Sequence, residues 1–216
     1  LAVLGWMNAR NSVRLTYLMG NQHTGITWEG ISRSALEKDR RYNPAGEYYD
    51  SFGNVHYYDN ESDNYTQHHL QLNYTHQFNT EWTWTSTLNY TKGDGYYDQY
   101  KANKKLTKYG LSSPVIIDGV EYKKGDFITN KNMDNSYYVL NSGLHFLKKA
   151  FNMDLGLSAS LYDGDHFGSV KWCSLLGDMD HRWYTNNGLK KDISVFVKGE
   201  YTFLSHWTAY LDLQYR

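Results

Sequence analysis

Only two prolines and one cysteine occur among the 216 residues. Proline cannot donate to a strand ladder, so its scarcity suits long uninterrupted strands. A lone cysteine, Cys173, forms no internal disulfide and reads as incidental. No stretch approaches the roughly 18 consecutive apolar residues that a membrane-spanning helix requires. Neither sign of charge dominates: 22 basic and 23 acidic residues leave a net charge of -1. No basic stripe appears, which argues against a nucleic-acid partner. The Gly-x-Ser-x-Gly elbow and the His-Glu-x-x-His helix are both missing, so no catalytic arrangement is legible and the chain reads as a non-enzyme. Nothing in the pattern implies a cofactor.

What the chain has instead is aromatic residues. Tyrosine occurs 21 times and tryptophan 7 times, and aromatics make up 17% of the sequence. Such side chains fill a pleated, half-covered surface and favour strands. A mean hydropathy of -0.71 would argue against a membrane for a helical protein. It does not for a β-barrel, in which only every second strand residue meets lipid and loops and lumen are polar.

Alternation is strict where it occurs. In 65–78, Leu70, Leu72, Tyr74 and Phe78 alternate with Gln67, His69, Gln71, Asn73, Thr75 and Gln77. In 82–91, Trp82, Trp84, Leu88 and Tyr90 oppose Thr83, Thr85, Thr87, Asn89 and Thr91. Residues 192–203 and 207–216 repeat the pattern, with Ile193, Val195, Val197 and Tyr201 in one and Trp207, Leu211, Leu213 and Tyr215 in the other. Weaker rows run at 12–19, 138–146 and 153–161, and a partial one at 1–7. Period two with one greasy and one wet face is the mark of a strand. Each row spans about ten residues, the length a tilted strand needs to cross a bilayer. Aromatic residues crowd the row ends and aliphatic ones the middle, as in the girdles of an outer-membrane barrel.

The connections alternate in length. Short turns fall near 8–11, 79–81, 148–151 and 204–206, and long connections cover about 20–64, 92–134 and 163–191. Short turns on one side and long loops on the other follow the periplasmic and extracellular convention of outer-membrane barrels. A short helix is expected around 32–40, ahead of a turn at 42–46. A soluble β-sandwich or propeller would need strands and turns at intervals of about 8–12 residues, which the three long connections break. Both chain ends read as mid-strand, so the expectation is one partial barrel domain over 1–216. It is all-β and antiparallel, with about eight of the 22 strands of a large plugged transporter and long extracellular loops.

Four segments carry a family resemblance: VRLTYLMGNQHTGITWEG at 13–30, RRYNPAG at 40–46, LNYTKGDGYYDQYK at 88–101 and YDGDHFGSVKW at 162–172. They resemble strand-to-loop junctions of TonB-dependent outer-membrane receptors of the Bacteroidetes type. That resemblance implies a bacterial outer-membrane location and an N-terminal plug that is missing here and would contact the TonB complex. It also implies energised uptake of a scarce nutrient, whether ferric siderophore, haem, cobalamin or oligosaccharide. Outer-membrane lipid and, in glycan-uptake members, a surface lid lipoprotein would be further partners. The alternatives are a passive porin-like barrel and a secreted β-rich carbohydrate-binding protein.

Candidate ligand contacts are the aromatic residues of the expected outer loops: Trp28, Tyr49, Tyr57, Tyr96, Tyr97, Tyr100, Trp172 and Trp183. Aromatic faces stack on sugars, porphyrins and catecholates, and they also serve as girdle or packing residues. Nine histidines raise the question of a metal. His68 and His69 point to opposite faces of one strand and cannot chelate together, and His69 and His145 face the same wet side on separated strands. The run Asp163-Gly164-Asp165-His166 supplies two local carboxylates, short of the six to eight oxygens calcium takes, and reads as a tight loop turn.

Overall fold

The alternating rows form one antiparallel sheet. The computed structural model describes residues 1–204 and 206–216. The long strands are β1 (Ala2–Met7), β2 (Asn11–Gly25), β5 (Ser62–Gln77), β6 (Trp82–Lys105), β9 (Lys124–Lys148), β10 (Phe151–Cys173), β11 (Gly177–Phe203) and β12 (Trp207–Tyr215). They pair in the order β1-β2-β5-β6-β9-β10-β11-β12, each with its sequence neighbour in the sheet. Two small hairpins stand apart, β3 (Glu47–Tyr49) with β4 (Val55–Tyr57) and β7 (Val115–Ile117) with β8 (Val120–Tyr122). Helix α1 (Arg33–Lys38) begins on Ser32, whose hydroxyl accepts from the Ala35 amide. The eight expected strands are therefore all present, and among the described residues β1 and β12 each pair on one side only.

Register places like with like. Leu4, Leu15, Leu72, Leu88, Leu140, Ala159 and Ile193 stand opposite one another across seven consecutive strands. Among the described residues nothing covers this apolar face: Leu4, Leu72, Leu88, Ile193 and Leu211 are 71%, 37%, 51%, 65% and 55% exposed. A soluble protein rarely leaves so large a contiguous apolar surface open. On β10 the outward positions run Phe151, Met153, Leu155, Leu157, Ala159, Leu161. Their ten residue steps, tilted by about 40°, give a band about 25 Å tall.

Aromatic pairs border the band. At the edge near the short turns, Trp82 and Phe146 lie 4.5 Å apart between ring centroids, and Phe151 is 5.9 Å from Phe146. At the other edge Tyr90 stacks on Tyr138 at 4.9 Å, and the Tyr17 hydroxyl meets His68 Nδ1 at 2.6 Å. The indole N–H of Trp84 donates to Ser142 Oγ at 2.8 Å, so even this ring leaves no donor unpaired on the apolar face. Just beyond the tyrosines the same face turns charged. Lys92 pairs with Asp134, and Asp163 and Asp165 both accept from Asn187 Nδ2, at 2.8 and 2.9 Å.

Two expectations need correction. Residues 92–134 and 163–191 are mostly strand, because β6, β9, β10 and β11 continue well past the apolar band and are joined through 106–123 and 174–176. Polar residues stand on both faces over most of that length, so the period-two contrast vanishes while the backbone ladder persists. The run from Asp163 to His166 is straight β10, not a turn; alternation sends both aspartates to one face and His166 to the other.

The outer end of these strands has a core of its own. Leu106 and Tyr109 of a 3-10 turn (Leu106–Tyr109) pack with Phe127, Val170 and Cys173, all buried. Cys173 is thus a small buried apolar group of this cluster.

Candidate functional site

The eight aromatic residues expected at one ligand surface divide into several environments. Trp28 and Tyr97 come together edge to face at 5.4 Å. Tyr96 and Tyr97 are adjacent strand residues of β6, and alternation puts Tyr96 on the opposite face. Trp183 packs edge-on against Tyr109 at 5.1 Å and belongs with the outer core. Trp172 sits half-buried in β10, beside an irregularity in its pairing with both neighbours. Tyr100 is a packing residue: Tyr48 lies 4.4 Å and Tyr58 5.7 Å from its ring, and its hydroxyl donates to Asp126 Oδ2 at 2.7 Å. Through those contacts the β3–β4 hairpin is held against β6.

Tyr49 and Tyr57 converge on a carboxylate. Glu47 accepts from the hydroxyls of Tyr42, Tyr49 (2.7 Å) and Tyr57 (3.3 Å). The hydrogen bond from Tyr42, then that from Tyr49, hold the Glu47 carboxyl below its ordinary 4.5. The same bond is the first cause that pushes Tyr42 up to about 12. Nearby, Asp50 accepts from the Asn54 side chain, His56 and two backbone amides, and is also held low, the Asn54 side chain contributing most. A carboxylate whose folded value lies below its unfolded value stabilises fully above the unfolded value and loses that contribution as pH falls through the folded one. The hairpin should therefore loosen as pH drops below about 4.5. Amide hydrogen exchange over residues 47–57 checks this. Glu47→Gln should remove the first acid step and leave the later one from Asp50.

A second group of aromatic residues escaped the sequence reading. On the polar face, His69, Thr91, Tyr137, Tyr162 and Lys190 stand side by side on five strands. The next row outward is Gln67, Gly93, Asn135, Gly164, Gly188. From these rows Gln67, Thr91, Asn135, Tyr137, Tyr162 and Lys190, together with Tyr65, Ser160, Asp192 and Arg216, line a recess of about 450 Å³. A second recess of about 290 Å³ adjoins it through Tyr65, lined also by Tyr97, Lys131, His166 and Tyr184. The available signal was tyrosine at wet-face positions beside glycine on the neighbouring strand.

The histidines are engaged singly. His69 bonds Thr91 Oγ1 at 3.0 Å and Gln67 Oε1 at 2.8 Å, and His145 bonds Asp154 at 2.8 Å. Among the described residues no group of three or more His, Cys, Asp or Glu side chains is placed to hold a metal ion.

No family model matches this chain, and no curated protein matches it either. Among solved structures it is similar to the crystal structure of a Pseudomonas aeruginosa FadL homologue, with a TM-score of 0.38 and 10% sequence identity. That alignment covers 98% of this chain and 58% of the FadL homologue, so the chain spans little more than half of that structure's length. The class of fold, a single large antiparallel sheet, rests on the strand ladder itself.

Proposed function

We propose that this chain is the wall section of a bacterial outer-membrane transport barrel, with lipid against its apolar face and a solute pathway along its polar face. The observation that carries the reading is the uncovered apolar band, bounded by aromatic pairs and then by charge. Its height of about 25 Å is that of the lipid-facing belt of such barrels. Water against this band would cost roughly 25 cal/mol for each Å² of apolar surface, whereas hydrocarbon removes that cost. A secreted β-rich carbohydrate-binding protein would need a second layer over the same face.

The finer reading is TonB-dependent uptake of a small nutrient. It is supported by the resemblance of the four quoted segments and by the long outer extension with its docked hairpin. In that reading a plug joined to this wall supplies contact with the TonB complex, and a lid lipoprotein sits over the outer extension. A passive porin-like barrel is the second reading, supported by the polar recesses that lie along the wall itself. Expression of the whole protein separates them. The barrel proposal expects an alkali-resistant membrane pellet and a band whose gel mobility changes on heating; a soluble, heat-insensitive product would end it. Uptake that stops when the proton gradient is collapsed favours the energised form, and gradient-independent swelling of proteoliposomes favours the porin.

A further inference from the structure

The polar recess has a floor made of flattened tyrosine rings. A Cβ added at Gly93 would lie 2.0 Å from the Tyr65 hydroxyl oxygen, and one at Gly95 would lie 2.6 Å from Tyr65 Cδ2. At Gly164 an added Cβ would lie 2.3 Å from the Tyr162 hydroxyl oxygen and 2.6 Å from Cζ. These rings are therefore laid along the wall, Tyr65 across Gly95 and Gly93 and Tyr162 along its own strand over Gly164. Only glycine leaves room for that. Both rings also line the recess. The two seats, on β6 and β10, are two strand spacings apart, roughly 10 Å. Between them stands Tyr137, 39% exposed and with its ring centroid 6.4 Å from that of Tyr162.

Around these rings the lining is polar and carries excess positive charge. Gln67, Thr91, Asn135 and Ser160 offer both donors and acceptors. Arg216 is paired with Asp192 at 2.6 Å, whereas exposed Lys190 has no ion-pair partner among the described residues. Flat aromatic faces match the C–H faces of a pyranose ring, and a rim of amides and hydroxyls matches its hydroxyl groups. A free ammonium at the same height matches a carboxylate.

We propose that this recess binds an acidic oligosaccharide, with sugar rings on Tyr65 and Tyr162 and a uronate carboxylate on Lys190. The inference rests on the reading of the polar face as the inside of a transport barrel, and it places a binding tract on the wall as well as in the outer loops.

Calorimetry on the whole protein in detergent tests it, with trigalacturonate and maltotriose as the probes. Trigalacturonate should bind, and maltotriose should bind at least tenfold more weakly. Lys190→Gln and Tyr162→Ala should each weaken trigalacturonate about tenfold or more, the range typical of truncating a central anchor. Tyr162→Phe keeps the ring and should bind like the parent. If the rings serve only to fill the wall over the glycines, Tyr162→Ala will lower the unfolding temperature and leave binding unchanged, which overturns the proposal. Absence of binding by either sugar, or equal binding of both, overturns it as well. Heat-dependent gel mobility is read on every sample. A folded barrel that ignores trigalacturonate sinks this inference alone, while failure to form a barrel sinks the transport reading beneath it. Should Tyr162→Ala not fold, Lys190→Gln, altered at an exposed side chain, decides the matter.

Discussion

Leu72→Arg is expected to abolish most of the correctly assembled protein in the outer membrane, and Gln71→Arg, one residue away, is expected to leave it near normal. Leu72 lies in the central apolar row, between Leu15 and Leu88 on the adjoining strands, and is open to its surroundings. An arginine at the midplane of a lipid-facing strand costs about 2–4 kcal/mol. Gln71 belongs to the polar row with Thr16 and Asn89, where a cation keeps its water. The measurement is the heat-modifiable fraction in isolated outer membranes. Leu88→Arg and Leu140→Arg should behave like Leu72→Arg, since register places all of them at one height. Equal tolerance of arginine at 71 and 72 would mean that no hydrocarbon lies against the apolar face.

Phe127→Ala should release the far end of the long strands without dissolving the part that carries the apolar rows. The side chain is fully buried, and its ring centroid lies 4.5 Å from that of Tyr109. Removing a buried phenylalanine from a packed core costs about 3–5 kcal/mol. The cluster it joins is small, so a loss of that size is expected to open it locally. Trypsin added to intact cells should then cut at Lys105, Lys108, Lys123 or Lys124, which flank or lie within the 3-10 turn and the β7–β8 hairpin. Heat-dependent gel mobility should persist, because the pairings that carry the apolar rows are untouched. Unchanged resistance to trypsin would show that the cluster does not hold the outer end.

How much was legible depends on where along each strand one looks. Within the apolar band, uncovered apolar and wet positions demand opposite chemistry, so Leu70, Leu72 and Tyr74 announce their face beside Gln71 and Asn73. Three of the short turns followed from the ends of those rows, and the fourth, at 204–206, includes residue 205, which lies outside the described residues; Lys149, for example, takes a positive φ of 50° in the two-residue link between β9 and β10. The candidate site was less legible. Tyr96 and Tyr97 looked alike as loop residues, and only the continued ladder of β6 sends them to opposite faces. Tyr100 offered no sign that Tyr48 and Tyr58 would enclose it, since stacking across that distance in sequence depends on where the hairpin docks.

Sequence alone determined the eight strands of the large sheet, the face of each residue in the apolar rows and three of the short turns, because an uncovered apolar face beside a wet one imposes a strict two-residue period. Tertiary structure alone decided how far β6, β9, β10 and β11 extend, which residues form the outer core, and which tyrosines lie flat over glycine. Beyond the belt polar residues occupy both faces over most of the length, so the chain has no alternating constraint to record. Leu106, Phe127 and Val170 meet there through contacts between distant strands, which leave no local pattern along the chain.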